Sequence, residues 1–344
     1  MLPDLQDGGW LLVSFLVPLA VVLVTMPWFL RYLNARGLVV DDVHKTPPSK
    51  VPSPVGPVLF VALVLGEVVA YFFVPSAVPL SIIGVIAISF AVGLADDLVV
   101  LGGKTKPLLL LLAAAPLVAA EVVQPEVYRA SLYFPILGQT SEHLFIYTVL
   151  VIAAIPIVSN AFNMMDSFNG EGSGFALLTS VAVAVGIVLR AYAISGYSIS
   201  HLATALPLVA VSLGFYFFNR YPSRCFDGDS GSLTLGAMFA ALAVTGGVEI
   251  AAVVALIPAI LNSFYILSSV RGFVERRKMG ARPTYMMEDG RLAASSDRSA
   301  PTTLIRMILL EGPLTEKELV KRILLLTGVA CLLSVATSLL TWVH

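Results

Sequence analysis

Charge is scarce in this sequence. Of 344 residues, 12% are charged, about half the share of a soluble globular chain. That shortage excludes an ordinary water-soluble domain of this length. Cysteine is nearly absent too: Cys225 and Cys331 are too few for a disulfide framework or a thiolate zinc site. The four histidines, His44, His143, His201 and His344, are scattered, so no histidine metal centre is expected. What the chain has instead is hydrophobic residue, 58% of the total, with a mean hydropathy of +0.90.

The apolar residues come in runs near the 20 that a helix needs to cross a bilayer. Ten helical spans are expected: Trp10–Leu33, Pro57–Val74, Leu80–Ala95, Pro107–Val123, Leu144–Phe162, Gly174–Ala193, His201–Phe218, Gly231–Thr245, Val248–Val270 and Ile323–Val343. The first reads as a span and not as a cleavable signal, because Pro3, Asp4 and Asp7 stand where a basic region would. The expectation is an all-α polytopic membrane protein of about ten transmembrane helices, one integral-membrane domain over 1–344. Within it, 271–322 forms a long basic connector.

The basic residues sort by side. Four lie in the first connector, two in the third, two in the seventh and eleven in the ninth, nineteen of the 21 Lys and Arg; only Arg129 and Arg190 fall elsewhere. Basic connectors stay cytoplasmic. The odd-numbered connectors are therefore expected inside, with both termini outside. The unusual polar chemistry lies on that same side: "ADDLVVLGGKTK" in the third connector, "NAFNMMDSFNGEG" in the fifth and "NRYPSRCFDGDSGS" in the seventh. A channel or transporter would string its ionisable residues along a mid-membrane path. Clustering at one interface favours an enzyme with cytoplasmic catalytic loops, the alternative being a transporter of nucleotide sugars or lipid-linked sugars. Glu67, inside the second span, is an intramembrane carboxylate and a functional suspect for that reason.

Each cluster carries its own chemistry. Asp96 and Asp97 end a span, where the helix macrodipole disfavours negative charge, so they call for a cation: Lys104, Lys106 or a metal. Asn160, Asn163 and Ser167 recur at i, i+3 and i+7, one helical face, and Asp166 and Asn169 lead into a glycine-rich turn. Amides and carboxylates are the oxygen donors magnesium prefers. Asp227 and Asp229 precede a helix expected to start near Ser230, with Asp or Ser as its N-cap. A helix N-terminus beside Arg224 and free hydroxyls would suit phosphate.

Together "ADDLVVLGGKTKPLLLLLAAAPL", "NAFNMMDSFNG" and "NRYPSRCFDGDSGSLTLGAMFA" resemble the polyprenyl-phosphate N-acetylhexosamine-1-phosphate transferases of the glycosyltransferase family 4 type. "DDVHKTPPSKVPSPVG" is similar to that family's first cytoplasmic loop. "YPSRCFDGD" and "TLIRMILLEGPLTEKEL" favour its eukaryotic and archaeal dolichyl-phosphate branch. The resemblance implies transfer of N-acetylhexosamine-1-phosphate, GlcNAc-1-phosphate first, from a UDP-sugar to a polyprenyl or dolichyl phosphate, releasing UMP. It implies Mg2+, replaceable by Mn2+, on Asn163 and Asp229. Asp96, Asp97, Lys106 and Asp229 become catalytic residues. Lys45, Asn160, Asp166, Asn169, Arg224, Asn262 and Arg282 become substrate-binding ones. Expected partners are the UDP-sugar, the lipid phosphate, membrane lipid and a second copy in a homodimer, with no nucleic acid. Expected locations are a prokaryotic, archaeal plasma membrane or the endoplasmic reticulum. The ninth connector contains no histidine and its "ARPTYMMEDGR" departs from both the bacterial histidine-rich motif and the eukaryotic arginine-rich one; that is where the sugar is read, and phospho-MurNAc-pentapeptide transfer stands as the alternative within the family.

Overall fold

A computed structural model describes residues 5–45, 48–73, 75–125, 127–128, 130–193, 201–270 and 281–342. Pro3, Asp4, Arg129, His344 and the basic residues Arg271, Arg276, Arg277 and Lys278 lie outside the described residues. In chain order the elements are α1 (Leu5–Ala35), β1 (Val39–Asp42), β2 (Ser49–Pro52), α2 (Gly56–Phe73), α3 (Ala77–Val99), α4 (Thr105–Leu110) and, after a 3-10 turn at Leu111–Ala114, α5 (Ala115–Val123). There follow β3 (Tyr133–Phe134), β4 (Gly138–Gln139), α6 (Leu144–Met164), α7 (Glu171–Ala193), α8 (Leu202–Asn219), α9 (Gly228–Gly246), α10 (Glu249–Ala255) and α11 (Ile257–Val270). The chain ends with β5 (Thr284–Met286), β6 (Leu292–Ala294), α12 (Leu304–Leu309) and α13 (Glu316–Trp342). The strands form three short antiparallel hairpins in the connectors. The protein is a helical membrane bundle.

Each of the ten expected spans has a helical counterpart. Among the described residues, eight helical spans are long and apolar enough to cross a membrane. The expected ninth span is a pair, α10 and α11, bent by 65° at their junction. The expected eighth, α9, stands outside that set because its first turn, Gly-Asp-Ser-Gly-Ser, is polar. Every residue of α9 from Ser230 to Gly246 is nevertheless buried. It is the axial helix, packed on α2, α3, α6, α7 and α8. Its small residues (Gly236, Ala237, Ala240, Ala241) let neighbouring backbones come close, the usual basis of helix association where lipid tails remove any hydrophobic drive between helices. Gly247 closes α9 in the left-handed conformation (φ 57°), and Arg190 Nη1 donates to the Gly246 carbonyl at 2.6 Å, a cation placed at the helix's negative end.

Two boundaries differ from expectation for local reasons. The last helix begins at Glu316, ahead of the apolar run, because Thr315 and Glu318 make a reciprocal capping box: Thr315 N–H donates to Glu318 Oε2 at 2.9 Å and Glu318 N–H to Thr315 Oγ1 at 3.3 Å. Ser167 does not share a helical face with Asn160 and Asn163, since α6 stops at Met164. Its N–H instead points to Glu171 Oε2 at 3.3 Å, at the start of α7.

The first, third, fifth, seventh and ninth connectors meet at one end of the bundle. Backbone bonds join the first to the seventh: Val55 N–H to Phe226 O, Gly56 N–H to Asp227 O and Phe226 N–H to Pro52 O, each 3.0 Å. Asn262 of α11 joins the fifth to the ninth, donating to Met164 O at 2.9 Å and accepting from Leu304 N–H at 3.0 Å. The third reaches α9 directly, and α3 lies so close that a Cβ on Gly93 would sit 2.5 Å from the Asp229 carbonyl oxygen. Gly93→Ala should therefore lower the thermal midpoint in detergent and depress activity, with an overpacking penalty of about 1–3 kcal/mol. Gly328→Ala, where a Cβ meets nothing within 4 Å, should leave both unchanged. Equal midpoints for the two variants would contradict the close approach of α3 and α9.

Candidate active site

The start of α9 organises the site. Asp227 is its N-cap by position, yet its side chain makes no capping bond. The cap comes from another helix: Asp97 Oδ1 accepts the Asp229 N–H at 2.8 Å, and Asp97 Oδ2 accepts the Ser230 N–H at 3.0 Å. A carboxylate near the C-terminus of α3 thus satisfies two orphan amides and meets the positive end of the α9 dipole. The expected self-capping by "DSGS" and the free helix N-terminus for phosphate are both corrected by this bond, because Asp97 fills that position. Gly228 makes the approach possible: it sits at φ 69°, and a Cβ there would be 2.8 Å from both Asp97 oxygens.

With the turn so held, Asp229 is a shared acceptor. Asn163 Nδ2, in the last turn of α6, donates to Asp229 Oδ1 at 2.6 Å and to Ser232 Oγ at 2.9 Å. Lys106 Nζ, at the start of α4, is hydrogen-bonded to Asp229 Oδ2 and ion-paired to Asp96 Oδ2 at 3.1 Å. Asp96 also takes the Leu101 N–H, which folds the third connector back onto α3. Lys106 is half-buried, while Lys104 is exposed at the head of α4. Of the two lysines, the one nine residues past the acidic pair points inward. The adjacent aspartates thus have different duties, Asp97 toward backbone amides and Asp96 toward the lysine that also holds Asp229.

Beside them lies a second carboxylate pair. Asp227 is 2% exposed, and its carboxyl is within hydrogen-bond reach of Asp166. Burial, and then the negative charge of Asp166, pushes the Asp227 carboxyl well above the ordinary carboxylate range.

A separate ion cluster ties the connectors together. Lys45 pairs with Asp42 at 3.3 Å and with Glu316, and its ammonium stands 4.2 Å from the Tyr221 ring centre. Asn169 is fully engaged there: its N–H donates to Glu316 Oε1 at 2.9 Å, its Nδ2 to Asp42 Oδ2 at 3.1 Å, and its Oδ1 accepts Ser223 N–H at 2.7 Å. Asp42, His44 and Glu316 bring ligand-type atoms within 4.8 Å of one another, but Lys45 already bridges the two carboxylates. The pairing of Asp42 and Glu316 through Lys45 was missed in the sequence. Each lies in a segment that matched the family, but nothing in the spacing links positions so far apart.

The remaining expected residues stand apart from the Asp229 centre. Arg224 is exposed in the seventh connector and turned back onto the end of α8, donating to Phe217 O at 2.9 Å with its guanidinium 5.0 and 4.6 Å from the Phe217 and Phe218 rings. That geometry removes it from the α9 start, where it was expected. Asn160 Nδ2 donates to the Pro156 carbonyl at 2.8 Å within α6. Asn262 spends its amide on backbone, as described above, which is a positioning role. Arg282 is exposed just before β5. Glu67 is completely buried in α2, and neither of its carboxyl oxygens has a hydrogen-bond partner.

Comparison with known proteins places this geometry in a family. Residues 79–247 match the profile of glycosyl transferase family 4, a stretch that contains Asp96, Asp97, Lys106, Asn163 and Asp229. The chain is 27% identical over 246 residues to a Sulfolobus acidocaldarius protein provisionally named UDP-N-acetylglucosamine–dolichyl-phosphate N-acetylglucosaminephosphotransferase, covering 69% of this chain and 71% of that one. It is 29% identical over 282 residues to a Methanocaldococcus jannaschii protein provisionally named as a glycosyltransferase, covering 81% of each. It is 25% identical over 296 residues to the UDP-N-acetylglucosamine–dolichyl-phosphate N-acetylglucosaminephosphotransferase of Dictyostelium discoideum, covering 79% and 72%. These relatives are transferases by name, which sets aside the transporter alternative. Residues 79–247, just under half of the chain, thus match glycosyl transferase family 4, and the protein is an integral-membrane transferase.

Proposed function

We propose that the protein transfers GlcNAc-1-phosphate from UDP-GlcNAc to dolichyl or another polyprenyl phosphate, at the cytoplasmic face of its membrane, leaving lipid-diphosphate-GlcNAc and UMP. The carrying observation is that Asp229 is held between Lys106 and Asn163 where five connectors converge. The names of the archaeal and Dictyostelium relatives supply the substrate pair. The cytoplasmic assignment rests on the basic residues of those connectors.

The difficulty of such a reaction is electrostatic, since a phosphate monoester must approach a diphosphate. An oxygen of the lipid phosphate attacks the β-phosphorus of the UDP-sugar, the bond from that phosphorus to the bridging oxygen breaks, and UMP departs with the electron pair. Little covalent help is needed; positioning and charge neutralisation dominate. The monoester's second pKa is about 6, so at neutral pH the nucleophile is already ionised and a strong base is dispensable. The donor set fits magnesium: the Asp229 carboxylate, the Asn163 amide and the Ser232 hydroxyl are hard oxygen donors, and the Lys106 ammonium touching Asp229 marks a position that favours positive charge. Asp229 and Asn163 would hold the ion, which supplies neutralisation of the diphosphate. Lys106 neutralises incoming phosphate, Asp96 aims Lys106, and Asp97 fixes the turn that presents Asp229.

In nanodiscs with UDP-GlcNAc, dolichyl phosphate and Mg2+, release of UMP and a GlcNAc-bearing lipid is expected. Asp229→Asn should lower turnover by about a thousandfold, on the scale of losing a preorganised electrostatic group, with normal membrane insertion; near-normal turnover would overturn the site. Lys106→Ala should lose at least about a hundredfold by the same reasoning, and Lys104→Ala less than about twofold. Asp97→Ala, which strips two charge-assisted bonds from the start of α9, should cost on the order of 2 kcal/mol of stability as well as activity. A full-stability, inactive Asp97→Ala variant would instead make Asp97 a group acting on substrate. Preference for UDP-MurNAc-pentapeptide over UDP-GlcNAc would contradict the sugar assignment.

A further inference from the structure

Arginines gather where α1 and α8 end. The two spans pack together, and a Cβ on Gly214 of α8 would lie 2.9 Å from Val22 Cγ1 of α1. Past that contact both run toward the end of the bundle where the odd-numbered connectors meet. There each helix repeats one arrangement. On α1 the Arg31 guanidinium lies 5.2 Å from the Trp28 ring centre, and that of Arg36, just beyond the helix, 5.4 Å from the Tyr32 ring centre. On α8 the Arg220 guanidinium stands 5.3 Å from the centre of Phe217, a ring it shares with Arg224 at 5.0 Å. All four arginines are exposed, and so are the rings beneath them: Trp28 is 70% exposed and Phe217 47%.

Their charge is not answered by protein. Among the described residues, no carboxylate pairs with any of the four. Arg31 Nε donates to the Pro27 carbonyl at 3.3 Å and Arg224 Nη2 to that of Phe217 at 2.9 Å, but these acceptors are neutral and take few of the five donors each guanidinium carries. Lys45 is different, since it stands over Tyr221 and also bridges Asp42 and Glu316. Two guanidiniums drawn to one Phe217 ring repel each other, and an anion between them would relieve that. A ring face steadies a guanidinium while leaving its edge donors available, which suits bidentate contact with phosphate.

The level in the membrane names the anion. Both helices are long and apolar enough to be spans, so Trp28 and Phe217, exposed near their ends, meet lipid. Tryptophan and tyrosine settle at headgroup level, and basic side chains there face lipid phosphate. We propose that the ends of α1 and α8 form a binding surface for anionic phospholipid headgroups, with phosphate held by Arg31 and Arg36 on one helix and by Arg220 and Arg224 on the other. It rests on neither the sugar nor the magnesium reading. It also gives Arg224 a phosphate partner, on a membrane lipid instead of the nucleotide.

The test measures lipid binding to the full-length protein in detergent by native mass spectrometry, with phosphatidylglycerol, phosphatidylcholine and dolichyl phosphate as probes. The wild type should bind phosphatidylglycerol in preference to phosphatidylcholine. At roughly fivefold per basic residue, Arg31→Gln/Arg36→Gln and Arg220→Gln/Arg224→Gln should each weaken phosphatidylglycerol binding by at least about tenfold and leave phosphatidylcholine unchanged. Lys317→Gln/Lys321→Gln removes two exposed cations from the head of α13 and should weaken it by less than about twofold, since neither has an aromatic ring beneath it among the described residues. Thermal midpoints identify an unfolded variant, and because the two arginine pairs lie on different helices, the other then decides. Equal binding of the two phospholipids by the wild type overturns the proposal. So does undiminished phosphatidylglycerol binding in a folded arginine variant, or an equal loss in the lysine variant, which would reduce the effect to net charge. A loss of dolichyl-phosphate binding as large as that of phosphatidylglycerol would hand the surface to the acceptor lipid and overturn the proposal as well.

Discussion

The bond between Asp97 and the amides of Asp229 and Ser230 is the contact on which the rest of the site depends. It joins two helix ends of opposite dipole sign: the C-terminus of α3, where a carboxylate is unwelcome, and the N-terminus of α9, where it is favoured. The same contact sets α9 in depth and rotation, and so presents Asp229 to Lys106 from one side and Asn163 from the other. Since α9 is buried along its length, the bundle has little freedom to relocate its first turn. A buried cluster of carboxylates at a membrane surface is otherwise an expensive arrangement, and this fold keeps it by giving most members a specific partner.

Around that centre the connectors act as a frame. Lys45, Asp42, Asn169 and Glu316 bind the first, fifth and seventh connectors to the head of the last helix, and Asn262 ties the fifth to the ninth. These side chains have nearly all their hydrogen-bonding capacity engaged by protein. They tie the connectors around the cluster of Asp96, Lys106, Asn163 and Asp229. A transferase that brings two anions together needs such rigidity, because charge placed an ångström off loses much of its effect in a site of low dielectric.

The helical architecture was legible because a bilayer imposes a length and composition on every span. Nine connectors of alternating charge then gave a grouping that the structure bears out as one end of the bundle. The residues alone left Lys104 and Lys106 open; the resemblance named Lys106, and the structure sets it against Asp96 and Asp229. Less could be read where a residue's partner lies on another helix. Asp97 looked like a catalytic carboxylate because its partners are backbone amides 132 and 133 positions away, and amides carry no sequence signature. Glu316 appeared only within a segment similar to the family, though it reaches Lys45 across 271 positions. Arg224 looked like a phosphate ligand by proximity in sequence, but the adjacent Phe217 and Phe218 offered its guanidinium a nearer resting place. Ser167 followed helical periodicity past the point where α6 ends.

The central claim is spatial: the third and seventh connectors share one side of the membrane and bring Lys106, Asp96 and Asp229 together there. Single-cysteine variants Lys104→Cys and Arg224→Cys test it directly, because both positions are exposed and the native Cys225 and Cys331 are buried. In sealed vesicles of known orientation, a membrane-impermeant thiol reagent should label both variants from the cytoplasmic side and neither from the other. Labelling of the two from opposite sides would contradict the account.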